Sequence, residues 1–180
     1  MSAVEEVPVT LPTIRGRVHR VGDHVNTDLI IPGKYCLTTS RERLGPHCLE
    51  GWEPGFARRV RPGDVLVAGE NFGGGSSREH AVLALQGAGF HAVIAAGFAR
   101  IFFRNAINLG LPVLVCPDAA AQAADGDLVE IDVGQGRILL DGRVFRAEPY
   151  PPFLQEILAH GGLMPYVVAR TRAGSSRPTS

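Results

Sequence analysis

The chain has 180 residues, the length of one ordinary domain, and 45% of them are hydrophobic, enough to fill a substantial core. Eighteen Lys and Arg balance eighteen Asp and Glu, so the global field that gathers nucleic acid or an anionic membrane is missing, and neither is expected as a partner. The three cysteines, Cys36, Cys48 and Cys116, form no C-x-x-C pair, which fits neither a disulfide framework nor a self-contained zinc or iron–sulfur site.

The opening MSAVEEVPVTLP has acids and prolines where a secretory signal needs a basic region and an apolar run, and no apolar stretch approaches the ~18 residues of a membrane span. A soluble, cytoplasmic protein is expected. Composition is even from residue 14 to 170, giving one domain over 14–169 between an N-terminal extension, 1–13, and a flexible tail, 170–180. The tail's TRAGSSRPTS has no large apolar residue to anchor it.

Alternating side chains over 14–21 predict a half-buried strand, closed by Gly22-Asp23. Thr39 or Ser40 caps a predicted helix over 41–49 ending at Gly51, and a buried strand over 65–68 follows the Pro62-Gly63-Asp64 turn. Ser76 or Ser77 is placed to cap a helix running to Ala88, with Ala81, Leu85 and Ala88 on one face. A continuous apolar strand over 91–96, a helix over 99–109 closed by Gly110, and a strand over 112–116 complete a β-loop-α-β-α-β middle, so parallel pairing is expected. Short alternating runs at 128–133, 137–140 and 144–146, with turns at Gly134-Gln135-Gly136 and Asp141-Gly142, predict antiparallel hairpins. A final helix over 153–160 stops at Gly161-Gly162.

The densest chemical signal is Glu70-Asn71-Phe72-Gly73-Gly74-Gly75-Ser76-Ser77-Arg78-Glu79-His80, between a buried strand and a helix. Consecutive glycines permit positive φ and close backbone approach, the helix start offers N–H groups and partial positive charge, and Arg78 adds a planar fork of donors. That combination suits a small carboxylate or phosphate. No lysine makes it a Walker loop, and Arg78 stands where both a dinucleotide fingerprint and a nucleophile elbow need glycine. A plain serine-capped turn is the alternative.

Asp23-His24-Val25-Asn26-Thr27-Asp28 offers potential metal ligands at a spacing that matches no established site and equally suits an Asx turn. His80 and His91 read as helix-surface and strand-start residues. Arg100 and Arg104, one helical turn apart, suggest a solvated or partner-facing edge.

Taken in order, Gly16-Arg17-Val18 with Val25-Asn26-Thr27-Asp28-Leu29-Ile30-Ile31-Pro32, then Asn71 through Ala81, then Phe98-Ala99-Arg100-Ile101-Phe102 through Asn108-Leu109-Gly110-Leu111-Pro112, resemble the isopropylmalate dehydratase small-subunit family, akin to the C-terminal swivelling domain of aconitase. The resemblance spans about residues 16–168 and implies an α/β fold with three β/β/α layers. It implies a hydro-lyase subunit that, with an iron–sulfur large subunit, isomerises 2- and 3-isopropylmalate by dehydration and rehydration in leucine biosynthesis. A related homoaconitase-, methylmalate- or dimethylmalate-type dehydratase and a non-catalytic carboxylate-binding module remain open. The [4Fe-4S] cluster would belong to the large subunit, with none bound by this chain.

Carried over by the resemblance, Ser76 is the catalytic base, Asp28 an acidic catalytic position, and Ser77 and Arg78 bind substrate carboxylate. The loop Lys34-Tyr35-Cys36-Leu37-Thr38-Thr39 matches a substrate-contacting loop commonly read Tyr-Leu-x-Thr, whose x is arginine for an extra carboxylate and aliphatic for an isopropyl group. Leu37 at that position, beside Thr38, points to a branched aliphatic substrate, while nearby Lys34 could supply a charge. Gly74 and Cys36 depart from the family pattern, which often has cysteine and leucine there.

Overall fold

The computed structural model describes residues 10–175. Strand β1 (Thr13–Arg20) buries Ile14 and Val18 and exposes Thr13, Arg15 and Arg17, as its alternation predicts, whereas at its end His19 is buried on the other face and Arg20 is exposed. The chain then turns through His24 into α1 (Thr27–Ile30), whose Asn26 cap accepts the Leu29 N–H at 3.0 Å. A 3-10 turn at Gly33–Tyr35 precedes α2 (Arg41–Leu44), capped by Ser40. The helix expected to reach residue 49 stops at Leu44 and tightens into a 3-10 turn over Gly45–His47. Pro46 lacks the N–H needed to continue it.

β2 (Val65–Ala68), α3 (Glu79–Ala88), β3 (Ala92–Ala95), α4 (Arg100–Asn108) and β4 (Val113–Val115) form the expected alternating centre. All four residues of β2 and of β3 are buried, which is why they read as continuous apolar runs. After α5 (Pro117–Gln122) come β5 (Leu128–Asp132), β6 (Arg137–Leu140) and β7 (Arg143–Arg146), then α6 (Pro152–Ala159) and α7 (Leu163–Ser175).

The strands make one seven-stranded sheet in the order β4-β3-β2-β1-β5-β6-β7. β1 joins its halves: it pairs in parallel with β2, Val18 opposite Val65, and antiparallel with β5, Gly16 opposite Val129. β2, β3 and β4 continue in parallel, whereas β5, β6 and β7 form antiparallel hairpins. Exposed Arg143 and Arg146 mark the β7 edge with charge, a device that discourages further strand pairing. At the opposite edge the buried Tyr150 hydroxyl accepts the Val113 N–H at 2.9 Å and donates to the Val113 carbonyl, and burial pushes its phenol pKa up.

A buried polar clamp supports the parallel half. Asp64, before β2, accepts His19 Nε2–H at 2.7 Å, the Arg61 N–H at 2.9 Å and the Arg17 N–H at 3.1 Å. Burial alone would raise its carboxyl pKa, but these donors outweigh that penalty and hold it below the ordinary carboxylate range.

Two expectations are corrected at the C-terminus. The helix at 153–160 is not the last, because α7 follows the Gly161-Gly162 break. Residues 171–175, placed in a solvated tail, continue α7 as exposed helix, with the Thr171 and Ser175 hydroxyls bonded to carbonyls one turn back; 176–180 lie outside the described residues. At the other end β1 begins at Thr13 and Leu11 is already buried, while residues 1–9 lie outside the described residues. Among the described residues no helix is long and apolar enough to cross a membrane.

Candidate active site

The loops leaving the carboxyl ends of β1, β2 and β3 meet above the parallel half of the sheet, the usual place for a ligand crevice. Backbone bonds lock them together: His24 N–H to the Glu70 carbonyl at 2.8 Å, Gly73 N–H to Val25 at 2.8 Å, Thr27 N–H to Gly74 at 2.9 Å, and Phe72 N–H to Gly97 at 3.0 Å. Asp23 is part of this frame, since its Oδ1 accepts the Glu70 N–H at 2.8 Å, and His24 Nδ1 lies 3.4 Å from Asn71 Nδ2. The polar knot is therefore a turn. No group of three or more His, Cys, Asp or Glu among the described residues can hold a metal.

Gly73 explains why glycine is required in the second loop. Its φ is +83°, and a Cβ there would fall 2.3 Å from Cγ of Phe102. Phe102 closes the floor of the site by packing edge-on against Phe72, ring centroids 5.1 Å apart. Gly75, at φ +94°, then turns the chain so that Ser76 and Ser77 face solvent.

The serines were expected to cap the following helix, and they do not. α3 starts two residues later, at Glu79, with Arg78 in the cap position and no side chain bonded to the helix start. Thr27 holds the serine segment instead: 3% exposed, its hydroxyl donates to the Ser76 carbonyl at 3.2 Å and lies 3.4 Å from Ser76 Oγ. The uncapped helix end thus leaves its partial positive charge beside the serines.

Arg78 and Asp28, fifty residues apart in sequence, form an ion pair at 2.6 Å, with side chains 27% and 66% exposed. Such an open pair contributes little to stability but fixes where the guanidinium points. That guanidinium also lies against Gly33, whose Cβ position would be 3.6 Å from Arg78 Nη2, which brings the loop at 34–39 to the rim.

A cleft of about 190 Å³ is lined by Thr27, Ser76, Ser77, Arg78, Arg100 and Asn105, among others. A neighbouring one of about 440 Å³ shares Ser77, Arg78 and Asn105 and adds Cys36 and His80. Ser76, Ser77 and Arg78 are therefore assembled at one cleft, and Asp28, outside its walls, is joined to it through the ion pair with Arg78. Leu37 is not drawn in: it stands 94% exposed, outside the walls of both clefts. Thr38 Oγ1 accepts the Ser40 N–H at 3.1 Å, and the Lys34 ammonium sits over the Tyr35 ring, 4.9 Å from its centre.

Sequence reasoning missed Thr27 and Asn105; Arg100 is exposed, as the sequence suggested, and lines the cleft as well. Thr27 sits in a polar cluster without periodicity. Arg100 and Asn105 could have been suspected, because α4 begins where β3 delivers its loop to the same crevice.

Comparison with known proteins fits this geometry. The aconitase C-terminal domain profile matches residues 56–118, which include the glycine–serine loop. The 3-isopropylmalate dehydratase small subunit of Moorella thermoacetica is 52% identical over 161 residues, covering 88% of this chain and 97% of the relative. That of Halothermothrix orenii is 50% identical over 153 residues, 84% of this chain and 93% of the relative. The chain belongs to the 3-isopropylmalate dehydratase small-subunit family. A crystal structure of 3-isopropylmalate dehydratase from Methanocaldococcus jannaschii, 45% identical, superposes with a TM-score of 0.88 over 93% of this chain and all of that one. The α/β fold of the aconitase C-terminal domain, expected from the sequence, is the fold observed.

Proposed function

We propose that this chain is the small subunit of a 3-isopropylmalate dehydratase, supplying the proton-transfer and carboxylate-binding side of a dehydration–rehydration reaction. The observation that carries the reading is the meeting of Ser76, Ser77 and Arg78 in one cleft with Thr27, and the pairing of Arg78 with Asp28, from loops that the sequence separates by about fifty residues.

The reaction removes a weakly acidic C–H proton and expels hydroxide. Ser76 Oγ takes the proton from carbon. Its alkoxide is stabilised by the Arg78 charge, the open start of α3 and the Thr27 hydroxyl 3.4 Å away. Arg78 binds a substrate carboxylate through two parallel N–H bonds, Ser77 adds a hydroxyl, and Asp28 orients the guanidinium from the far side. Departure of hydroxide calls for a Lewis acid, which in this family's division of labour is the [4Fe-4S] cluster of the large subunit. Cys36, Cys48 and Cys116 do not fit such a group: the last two are buried in the core, and burial pushes the Cys48 thiol pKa up, away from the thiolate form that binds iron. The open, solvent-facing serines suit completion of the site by a second chain.

In a complex reconstituted with an iron–sulfur large subunit, Ser76→Ala should lower kcat by several orders of magnitude while assembly persists. Turnover near the wild-type rate would remove Ser76 from the mechanism.

A further inference from the structure

The loop bearing Leu37 has a firm base and an exposed tip. At the base, the Tyr35 hydroxyl donates to Glu50 Oε1 at 2.9 Å, and His47 Nδ1 lies 2.8 Å from Glu50 Oε2. The Tyr35 and His47 rings stack with centroids 3.8 Å apart and planes inclined by 8°. Three segments are joined here: the 3-10 turn at Gly33–Tyr35, the one at Gly45–His47 and the turn that follows it. Beneath them the Leu49 N–H donates to the Ile30 carbonyl at 2.7 Å, which ties the same turn to the end of α1, two residues after Asp28.

We propose that Tyr35, Glu50 and His47 are positioning residues that hold the substrate-contacting loop in register with Arg78 and Asp28, and so determine how sharply Leu37 selects a branched aliphatic substrate. The inference rests on the reading of Leu37 as a substrate contact. Its physical basis is that an exposed tip discriminates only as well as its base is fixed: a loop free to swing would let a larger or charged group pass Leu37. Glu50 is the keystone, because each carboxylate oxygen serves a different partner. Both partners hold its pKa below the ordinary carboxylate range, His47 more than Tyr35, so the brace persists at neutral pH.

The sequence supplies a direct probe. Lys34 is the only lysine in the chain, it is exposed, and it immediately precedes Tyr35. A lysine-specific protease therefore has one cleavage site, and its rate reports opening of this loop in the isolated full chain. Loss of both Glu50 bonds in Glu50→Ala should speed cleavage about three- to tenfold. Glu50→Gln, whose amide can accept from Tyr35 and donate to His47, should stay near the wild-type rate. In the reconstituted complex, Glu50→Ala should lower the kcat/KM ratio of 3-isopropylmalate to homoisocitrate about threefold or more, mainly through KM for 3-isopropylmalate, with Glu50→Gln restoring it.

A purely structural role for Glu50 would lower the melting temperature and leave the ratio unchanged, which overturns the proposal. So would wild-type proteolysis of Glu50→Ala. Leu37→Arg separates the two layers: if it fails to shift the ratio, Leu37 is not the selector and specificity positioning falls with it. If Leu37→Arg shifts the ratio while Glu50→Ala does not, Leu37 stands and the positioning role alone is refuted.

Discussion

Replacing Gly73 with alanine probes the architecture of the site more sharply than any exposed substitution. At φ +83° an L-residue pays about 1 kcal/mol or more for the left-handed backbone. The new methyl would also lie 2.3 Å from Cγ and 2.5 Å from Cβ of Phe102. Because Phe102 Cβ is itself in the way, no side-chain rotation of Phe102 relieves the contact, and α4 or the loop must move. Overpacking of this kind costs about 1–3 kcal/mol. The sum, about 2–4 kcal/mol, should move the urea midpoint of the isolated chain down by about 1–2 M at an ordinary m-value. Gly74→Ala is the matched control: its φ is not left-handed, and its nearest neighbour is the Asn71 amide at 3.2 Å, on an exposed side chain that can give way. It should stay within about 0.5 kcal/mol of wild type. A Gly73→Ala midpoint indistinguishable from that of Gly74→Ala would refute the argument that Phe102 forces glycine at residue 73.

Arg78→Lys should raise KM for the hydroxy acid by about tenfold with a smaller effect on kcat, because an ammonium cannot reproduce the two-pronged carboxylate contact; steady-state kinetics of the reconstituted complex decides it. Asp64→Asn should cost about 2 kcal/mol at pH 7, since the buried carboxylate accepts three donors, one of them the buried His19 ring. The folded-state pKa of Asp64 is depressed, so its contribution is present above the unfolded value near ~4 and lost as pH falls through the folded value. The gap between wild type and Asp64→Asn in urea titrations should therefore close in acid, and a gap that widened there would contradict the sign.

What could be read from the sequence followed from how strongly each residue was constrained. β2 and β3 are buried on both faces, so every position had to be apolar and the runs stood out. The hairpins of β5, β6 and β7 announced themselves by alternation and by glycine at their turns. α1 has four residues and no room for a period, and its role was visible only as a family motif. α7 was hidden because Gly161-Gly162 reads as an ending, while Pro165 and Gly174 mask a helix that tolerates them only because they lie near its ends. α5 left a usable signal that went unread, proline at its first position before alanines.

The site behaves likewise. Arg78 and the serines were conspicuous because glycines, hydroxyls and a cation seldom coincide, yet the helix-cap role given to the serines was wrong. A cap needs the serine at the helix boundary, and Thr27 holds Ser76 outside it. Long-range pairings such as Arg78 with Asp28 are products of the sheet order, which brings the ends of β1 and β2 side by side, and no local pattern encodes them.

The central claim, that this chain is half of a two-chain isopropylmalate dehydratase, is tested most directly by mixing. The full chain and an iron–sulfur large subunit are each assayed alone and then together, under anaerobic conditions, following the ultraviolet absorbance of the unsaturated acid formed from 3-isopropylmalate. Turnover should appear only in the mixture, saturate as the small subunit is titrated in, and exceed that with homoisocitrate at equal concentration. Turnover by the large subunit alone that this chain does not change, or a mixture that prefers the tricarboxylic substrate, would contradict the account.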